Sequence, residues 1–164
     1  MYCSIVERYQ ITKTFMLYYK RIIYCLYFKD NFFYLSRNFR LQKVGDFDWL
    51  NKHYDFEKIS SSIDELIILD VTREGRNIED FSEAIKNIIS NIFVPVAAGG
   101  GIRTLDDAKL LLNSGADKVV LNSALNNDKR LIRDLIKKYG SQFVVGSIDY
   151  LIENNVKNVY IENG

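Results

Sequence analysis

Small and polar residues stand directly after four short apolar runs of this sequence. Asp70 ends the run ELIILD, three glycines follow PVAA, Asn122 and Ser123 follow KVVL, and Asp149 ends FVVGSID. A short apolar run bounded by turn residues is typical of a strand buried on both faces. We therefore expect these groups at the carboxyl ends of successive strands, which is where parallel α/β sheets bind their ligands.

The glycine turn in AAGGGIRT leads from a predicted strand into a predicted helix. Missing side chains let an anion approach the backbone N–H groups, and the helix dipole favours negative charge there. The spacing is not the GxGxxG of dinucleotide-binding turns. Gly100 and Gly101 are thus predicted to bind a phosphate, although a tight turn without a ligand would use the same residues. Asn122 and Ser123 would complete the cradle, with turn and capping chemistry as their alternative.

Two acids at strand ends are candidates for proton transfer. A carboxylate after apolar residues is costly to bury, so Asp149 and Asp70 should face the rim and could act as acid or base. A helix cap or a salt bridge is the alternative, with Arg73 or Arg76 for Asp70. Asp70 and Gln142 are also predicted to border the substrate site. No metal is expected, because no residues have zinc-ligand spacing and the single histidine lies in a predicted surface helix.

The elements that position these groups alternate between strand and helix. Strands are predicted over residues 21–28, 64–71, 95–98, 118–122 and 143–149. Helices are predicted over residues 47–60, 78–91, 104–114 and 128–139. Asp46 and Asn77 are the expected caps of the first two, and Thr104 with Asp107 is close to a capping box at the third. Residues 156–162 are predicted to form part of a hairpin.

This alternation indicates parallel strands with right-handed crossovers, in either a doubly wound sheet or a (β/α)8 barrel. Polar groups on four consecutive strand ends favour the barrel, because an open sheet concentrates its ligand groups at one switch point. A closed barrel needs about 250 residues. The prediction is therefore an α/β fold in which residues 21–164 form a TIM barrel truncated after about its fifth strand. Residues 1–20 are left unassigned.

Composition narrows the class of protein. Hydrophobic residues make up 48% and charged residues 26%, which is typical of a globular protein and excludes general disorder. A net charge of +1 gives no field that would attract nucleic acid or anionic lipid. Cys3 and Cys25 do not form a disulfide framework, so we expect reduced thiols and a cytoplasmic location. Charged residues interrupt the apolar N-terminus, which argues against a signal peptide or a membrane span.

The motifs RIIYCL, DELIILD, EGR, VPVAAGGGIRT, GADKVVLNSA and GSQFVVGSID resemble, in order and spacing, the cyclase subunit of imidazole glycerol phosphate synthase. The resemblance covers residue 21 to the C-terminus. It implies a synthase of histidine biosynthesis that receives ammonia from a glutaminase subunit, in a heterodimer, and joins it to a phosphosugar ribonucleotide. No cofactor is implied.

The resemblance also implies roles for particular residues. Asp149 matches one of two catalytic carboxylates, which lie at the ends of the first and fifth strands. Gly101, Asn122 and Ser123 match one of two phosphate sites. A further set matches the ammonia gate and the face that docks the glutaminase: Arg21, Glu65, Asp117 and Lys118.

Two departures from the family pattern change the expectation. Tyr27 replaces the first-strand aspartate, and a phenol with an ordinary pKa near 10 is no substitute for a carboxylate base. The second phosphate site, on later strands, is missing. In lacking this aspartate, the sequence is similar to a branch of the family that aminates an acetamido sugar nucleotide in surface-polysaccharide biosynthesis. The motif TREGRN also resembles that branch. An inactive remnant or scaffold is the alternative of another class.

Overall fold

The computed structural model describes residues 20–37 and 40–160. The predicted N-terminal extension, apart from Lys20, and the end of the predicted tail hairpin lie outside the described residues. The nine strands of the described part are β1 (Ile23–Lys29), β2 (Phe32–Arg37), β3 (Arg40–Gly45), β4 (Glu65–Asp70), β5 (Val96–Gly99), β6 (Lys118–Leu121), β7 (Val144–Gly146), β8 (Asp149–Glu153) and β9 (Val156–Tyr160). The helices there are α1 (Phe47–His53), α2 (Phe56–Ser60), α3 (Ile78–Ile89), α4 (Leu105–Asn113), α5 (Ser123–Asn127) and α6 (Lys129–Tyr139), followed by a 3-10 turn, Ser141–Phe143.

Seven strands form one sheet in the order β3-β2-β1-β4-β5-β6-β7. Five of these strands, β1, β4, β5, β6 and β7, correspond to the strands predicted from the sequence. Each of the five pairs in parallel with the next in this order. Within the described residues this sheet ends at β3 and β7 and does not close on itself. The predicted α/β class and partial barrel are therefore confirmed.

Alternate residues of the strands face opposite sides of the sheet. Leu66 and Ile68 face the helices and are buried in the core that also contains Phe81, Ile85 and Ile88 of α3. The other residues of the same strands, among them Glu65, Ile67 and Leu69, face the concave side. Hence the parallel register sorts residues into a helix-covered face and a concave face, and it brings the carboxyl ends of β4, β5, β6 and β7 to one rim.

A hairpin between the first predicted strand and the first helix was not predicted. Strands β2 and β3 pair antiparallel and extend the sheet beyond β1. The turn from β1 to β2 places Asp30 and Asn31 at φ of 50° and 61°. Two adjacent positive φ values are those of a type I′ turn, which favours Asn and Asp. The sequence KDN before FFYL was the signal for this hairpin.

Two predicted boundaries were wrong. The helix predicted over residues 47–60 breaks into α1 and α2, because Tyr54 is extended and Asp55 caps a new helix by accepting a hydrogen bond from the Lys58 N–H at 3.0 Å. The fifth strand ends at Gly146 instead of residue 149. Asp149 instead begins β8, which pairs with β9 in a separate two-stranded sheet.

Candidate functional site

The rim at the carboxyl ends of the parallel strands collects most of the predicted site residues. The register pairs Gly99 of β5 with Val120 of β6, so Gly101 and Asn122 follow neighbouring strands at the same level. Ser147 follows β7 directly, and its N–H donates a hydrogen bond of 2.7 Å to the Leu121 carbonyl. This bond keeps the segment before Asp149 beside the end of β6.

Asn122 and Asp149 are in direct contact. The Asn122 Nδ2 donates a hydrogen bond of 2.9 Å to Asp149 Oδ2. Asp149 is exposed and Asn122 half-buried, so the carboxylate is open to solvent on one side. Asn122 precedes α5, and no side chain caps the start of that helix. Ser123, its first residue, is exposed. The rim thus presents an amide, a hydroxyl and a carboxylate together.

The glycine turn has no room for side chains. A Cβ at Gly99 would meet the Val120 carbonyl oxygen, and one at Gly100 would meet the Asp70 carbonyl oxygen. Gly100 and Gly101 also have positive φ values of 104° and 66°. Residues other than glycine rarely adopt this backbone conformation. Each glycine is therefore required by packing or by backbone conformation, whether or not an anion binds there.

Asp70 faces the helix side of the rim and not the concave face. It is buried, and its Oδ2 accepts a 2.9 Å hydrogen bond from Arg76 Nε in an ion pair, while its Oδ1 accepts one from the Thr72 N–H at 2.8 Å. Arg76 also donates to the Thr72 carbonyl at 2.7 Å. The salt bridge to Arg76 that was the alternative for Asp70 is present. Through this ion pair and the bond to Thr72, the carboxylate fixes the loop after β4.

Arg76 in turn lies against Gly101. Its Nη1 occupies the space in which a Cβ at Gly101 would lie. The loop after β4 and the turn after β5 are therefore locked together through Asp70, Arg76 and Gly101. Sequence reasoning named Arg76 only as a partner for Asp70 and missed its contact with the glycine turn, since contact between two loops leaves no local pattern.

A polar groove of about 690 Å³ opens beside this lock. It lies between the loops that follow β4 and β5, and Gly101 forms part of its wall. Sequence reasoning did not single it out, although three arginines in TREGR and GIRT supply its charge. Its lining residues are Arg73, Gly75, Arg76, Asn77, Ile78, Glu79, Gly101, Arg103 and Asp107.

The opposite end of the strands carries a buried ion cluster. Glu65, with a side chain 5% exposed, accepts from Arg21 Nη2 at 2.8 Å and from Lys118 Nζ at 2.7 Å. Asp117 lies beside it and accepts a hydrogen bond from the Val96 N–H at 2.8 Å, which joins the starts of β5 and β6. The predicted gate residues are thus together, about 17 Å along β4 from the rim at ~3.3 Å per residue.

Tyr27 and Gln142 lie apart from the hydrogen bond between Asn122 and Asp149 at the rim. Tyr27 is buried on β1, where it pairs with Leu69 of β4, so three strands separate β1 from β7. Gln142 lies in the 3-10 turn before β7, at the end of the strand that faces away from the rim, and its Nε2 donates to the Tyr139 carbonyl at 3.4 Å. Gln142 therefore lies away from the rim, where the substrate site is predicted.

A second cavity, of about 460 Å³, lies on the helix side of β1 and β4 and contains none of the predicted site residues. Burial, with smaller effects of Tyr54 and Cys25, raises the pKa of Tyr24 in its wall above the ordinary value of 10. The cavity is lined mainly by apolar side chains, among them Leu26, Leu50, Ile59, Ile63, Leu66, Ile88 and Ile92.

Neither metal ligation nor membrane crossing is indicated within the described part of the chain. No group of three or more His, Cys, Asp or Glu side chains among residues 20–37 and 40–160 could hold a metal ion. Over the same residues, every helix is too short or too polar to span a bilayer.

The lock between the two loops predicts unequal effects of two glycine substitutions. Gly75→Ala introduces a side chain at φ 63° into open space, so it should cost about 1 kcal/mol of unfolding free energy from backbone strain alone. Gly101→Ala has a similar φ but also displaces Arg76 from buried Asp70, so we expect a loss on the order of 3 kcal/mol. Urea denaturation of both variants measures the difference, and equal losses would contradict the lock.

The family model described as "Histidine biosynthesis protein" matches residues 48–164. The chain is 47% identical over 145 residues to "Putative imidazole glycerol phosphate synthase subunit hisF2" of Parasynechococcus marenigrum. It is 41% and 38% identical, each over 146 residues, to proteins named "Imidazole glycerol phosphate synthase subunit HisF" of Campylobacter concisus and Bacteroides thetaiotaomicron.

Each alignment covers 88% of this chain but only 54% to 57% of the relative, so the chain spans about half the length of the relatives it matches. Family match, sequence identity and the parallel half-barrel agree with the resemblance seen in the sequence motifs. The chain belongs to the histidine biosynthesis protein family of TIM-barrel proteins, together with imidazole glycerol phosphate synthase subunits.

Proposed function

We propose that this chain is the N-terminal half of an ammonia-using synthase subunit that acts on a phosphorylated sugar substrate at the rim of the barrel. Asp149 is its acid or base, and Gly100, Gly101, Asn122 and Ser123 hold a substrate phosphate. The observation that carries the proposal is the 2.9 Å hydrogen bond from Asn122 to Asp149, because it sets a carboxylate beside a residue of the proposed phosphate site.

The geometry at Asn122 is compatible with both contacts at once. A side-chain amide has two N–H donors, and only one of them is used by Asp149. The second can donate to a phosphate oxygen, together with the backbone N–H groups of the glycine turn and the Ser123 hydroxyl. A phosphate bound there would leave the reacting part of the substrate within reach of Asp149, which is how one residue can couple binding to proton transfer.

The concave face supplies a route for ammonia in this proposal. Between the ion cluster of Glu65 and the rim, the same face carries Ile67, Ala97 and Val120. These side chains are small or apolar, so they favour neutral ammonia over ammonium, whose charge would be costly to desolvate. A glutaminase subunit docked at the end near Asp117 and Lys118 would release its ammonia at the start of this route.

Two acceptor substrates fit the proposal, and Tyr27 favours one of them. Closing an imidazole ring on a phosphosugar ribonucleotide uses, by family resemblance, two carboxylates. A buried phenol in place of the first carboxylate leaves a single acid, Asp149, for the reaction. Amination of an acetamido sugar nucleotide is therefore the better-supported reaction. An inactive remnant would instead show no ammonia-dependent turnover of either substrate and no effect on a glutaminase.

Replacing Asp149 tests its role in proton transfer. Asp149→Asn keeps the shape of the side chain but removes the carboxylate, so ammonia-dependent turnover should fall about 100-fold to 10,000-fold. Glu153→Gln is the matched control, since Glu153 is an exposed acid on the same face of the same strand. Turnover measured with ammonium salts should be unchanged in the control. Equal activity of Asp149→Asn and the unaltered protein would exclude Asp149 as acid or base.

Complementation separates the two acceptors. A histidine auxotroph that lacks the cyclase subunit should fail to grow without histidine when it expresses the full-length gene that contains this chain, because Tyr27 leaves ring closure without its second carboxylate. The gene of a relative with aspartate at that position serves as the positive control. Growth of the auxotroph on this gene would reject the sugar-nucleotide reaction in favour of the histidine pathway.

A further inference from the structure

The apolar cavity on the helix side of β1 and β4 has no part in the proposed reaction. Its volume is about 460 Å³, within the range of small-molecule sites. Protein interiors are packed so closely that voids larger than a water molecule are few. None of the residues assigned to the rim or to the ion cluster of Glu65 lines this cavity. Its presence therefore needs an explanation of its own.

The break between α1 and α2 explains how the cavity forms. Tyr54 is extended at this point, and α2, which follows, is only five residues long. No residue of α2 is buried, whereas α3, which lines the same cavity, buries four of its residues. Helix α2 therefore lies over β1 and β4 without filling the space above Leu26 and Leu66.

The size and position of the cavity fit a small molecule better than a protein segment. An α-helix is about 10 Å across and rises about 5.4 Å per turn, so the cavity has the volume of about one turn. Its walls come from two layers, with Leu26 and Leu66 in the sheet and Leu50 and Ile59 in the helices. An occupant therefore lies between the layers and does not cover an outer face.

The lining gives no preference to an ion. The charged side chains among the described lining residues are Asp55 and Lys58, which are exposed and of opposite sign. Because the remaining walls are mainly apolar, an ionic ligand would lose hydration without gaining a counter-ion. Tyr24, Tyr54 and Phe56 contribute aromatic rings, whose edges and faces interact favourably with other rings. The lining therefore favours an uncharged aromatic molecule.

Two phenol hydroxyls are available to orient such a molecule. Tyr24 and Tyr54 both line the cavity, and neither hydroxyl has a hydrogen-bond partner among the described residues. Burial raises the pKa of Tyr24, so its phenol is protonated at neutral pH and can donate. The other polar, uncharged side chains of the lining, His53 and Ser62, are each hydrogen-bonded to the backbone carbonyl four residues earlier. The tyrosines therefore suit a ligand that carries a hydrogen-bond acceptor.

We propose that the cavity is a binding site for an uncharged aromatic molecule of one or two rings, whose hydrogen-bond acceptor meets the hydroxyls of Tyr24 and Tyr54. The apolar side chains of the two layers enclose the rings, and the phenols fix their orientation. This site is separate from the proposed phosphate site, because the cavity lies on the helix side of the sheet and shares no residue with the rim.

Isothermal titration of the whole chain with quinoline tests the site. Quinoline has two rings, is uncharged at neutral pH and carries a ring nitrogen as acceptor, so we expect saturable binding of one molecule per chain. N-Methylquinolinium has the same rings but a positive charge and no acceptor, and it should bind at least 10-fold more weakly. Tyr24→Phe should weaken quinoline binding about 3-fold to 10-fold, the effect of one neutral hydrogen bond.

A second variant places the binding in this cavity. Ile59→Trp puts a larger side chain into the space and should weaken quinoline binding at least 10-fold. The matched controls make the same changes outside the cavity, Tyr150→Phe on β8 and Ile136→Trp on α6, at residues that are exposed, and should leave the affinity unchanged. The proposal is overturned if quinoline does not bind saturably, if Ile59→Trp binds it as tightly as the unaltered chain, or if N-methylquinolinium binds equally well.

Discussion

Parallel pairing of β1, β4, β5, β6 and β7 is the constraint from which the organisation of this chain follows. Strands that run in one direction place all their carboxyl ends at one edge, so residues far apart in sequence meet there. Asn122 and Asp149 are 27 residues apart and share a hydrogen bond for this reason. The period of two along each strand then decides which side chains face the concave side and which face the helices.

The two ends of the sheet hold their charges in different ways. At the amino ends, Glu65 is buried between Arg21 and Lys118, and such a cluster persists only because both cations compensate the desolvated carboxylate. At the rim, Asp70 is buried against Arg76, whereas Asp149 is exposed, and among the described residues its carboxylate is partnered only by the neutral amide of Asn122. Of the three carboxylates, Asp149 is therefore the one that solvent reaches.

The glycine turn has two physical explanations that act together. Close approach to Val120, Asp70 and Arg76 excludes side chains even when no ligand is present. Gly101 is nevertheless exposed, so an anion can still approach the backbone of the turn from the solvent side. The packing requirement thus accounts for the glycines by itself, and the case for an anion depends on the neighbouring Asn122 and Ser123.

Local signals in the sequence predicted local structure well. The capping box of Thr104 and Asp107 is present because both partners lie within one helical turn, and the parallel strands follow from their apolar runs. Contacts between loops escaped prediction: the lock of Arg76 on Gly101 and the polar groove beside it depend on two segments meeting in space. The first hairpin had a local signal, at Asp30 and Asn31, that was overlooked.

An amide-resolved titration tests the central claim, that the rim binds phosphate beside Asp149. In ¹H–¹⁵N spectra of the chain titrated with inorganic phosphate, the largest shifts should come from the backbone amides of Gly100, Gly101 and Ser123 and from the Asn122 side chain. The Lys118 amide, at the far end of β6, should not move. Shifts confined to other parts of the chain, or no saturable shift at the glycine turn, would contradict the account.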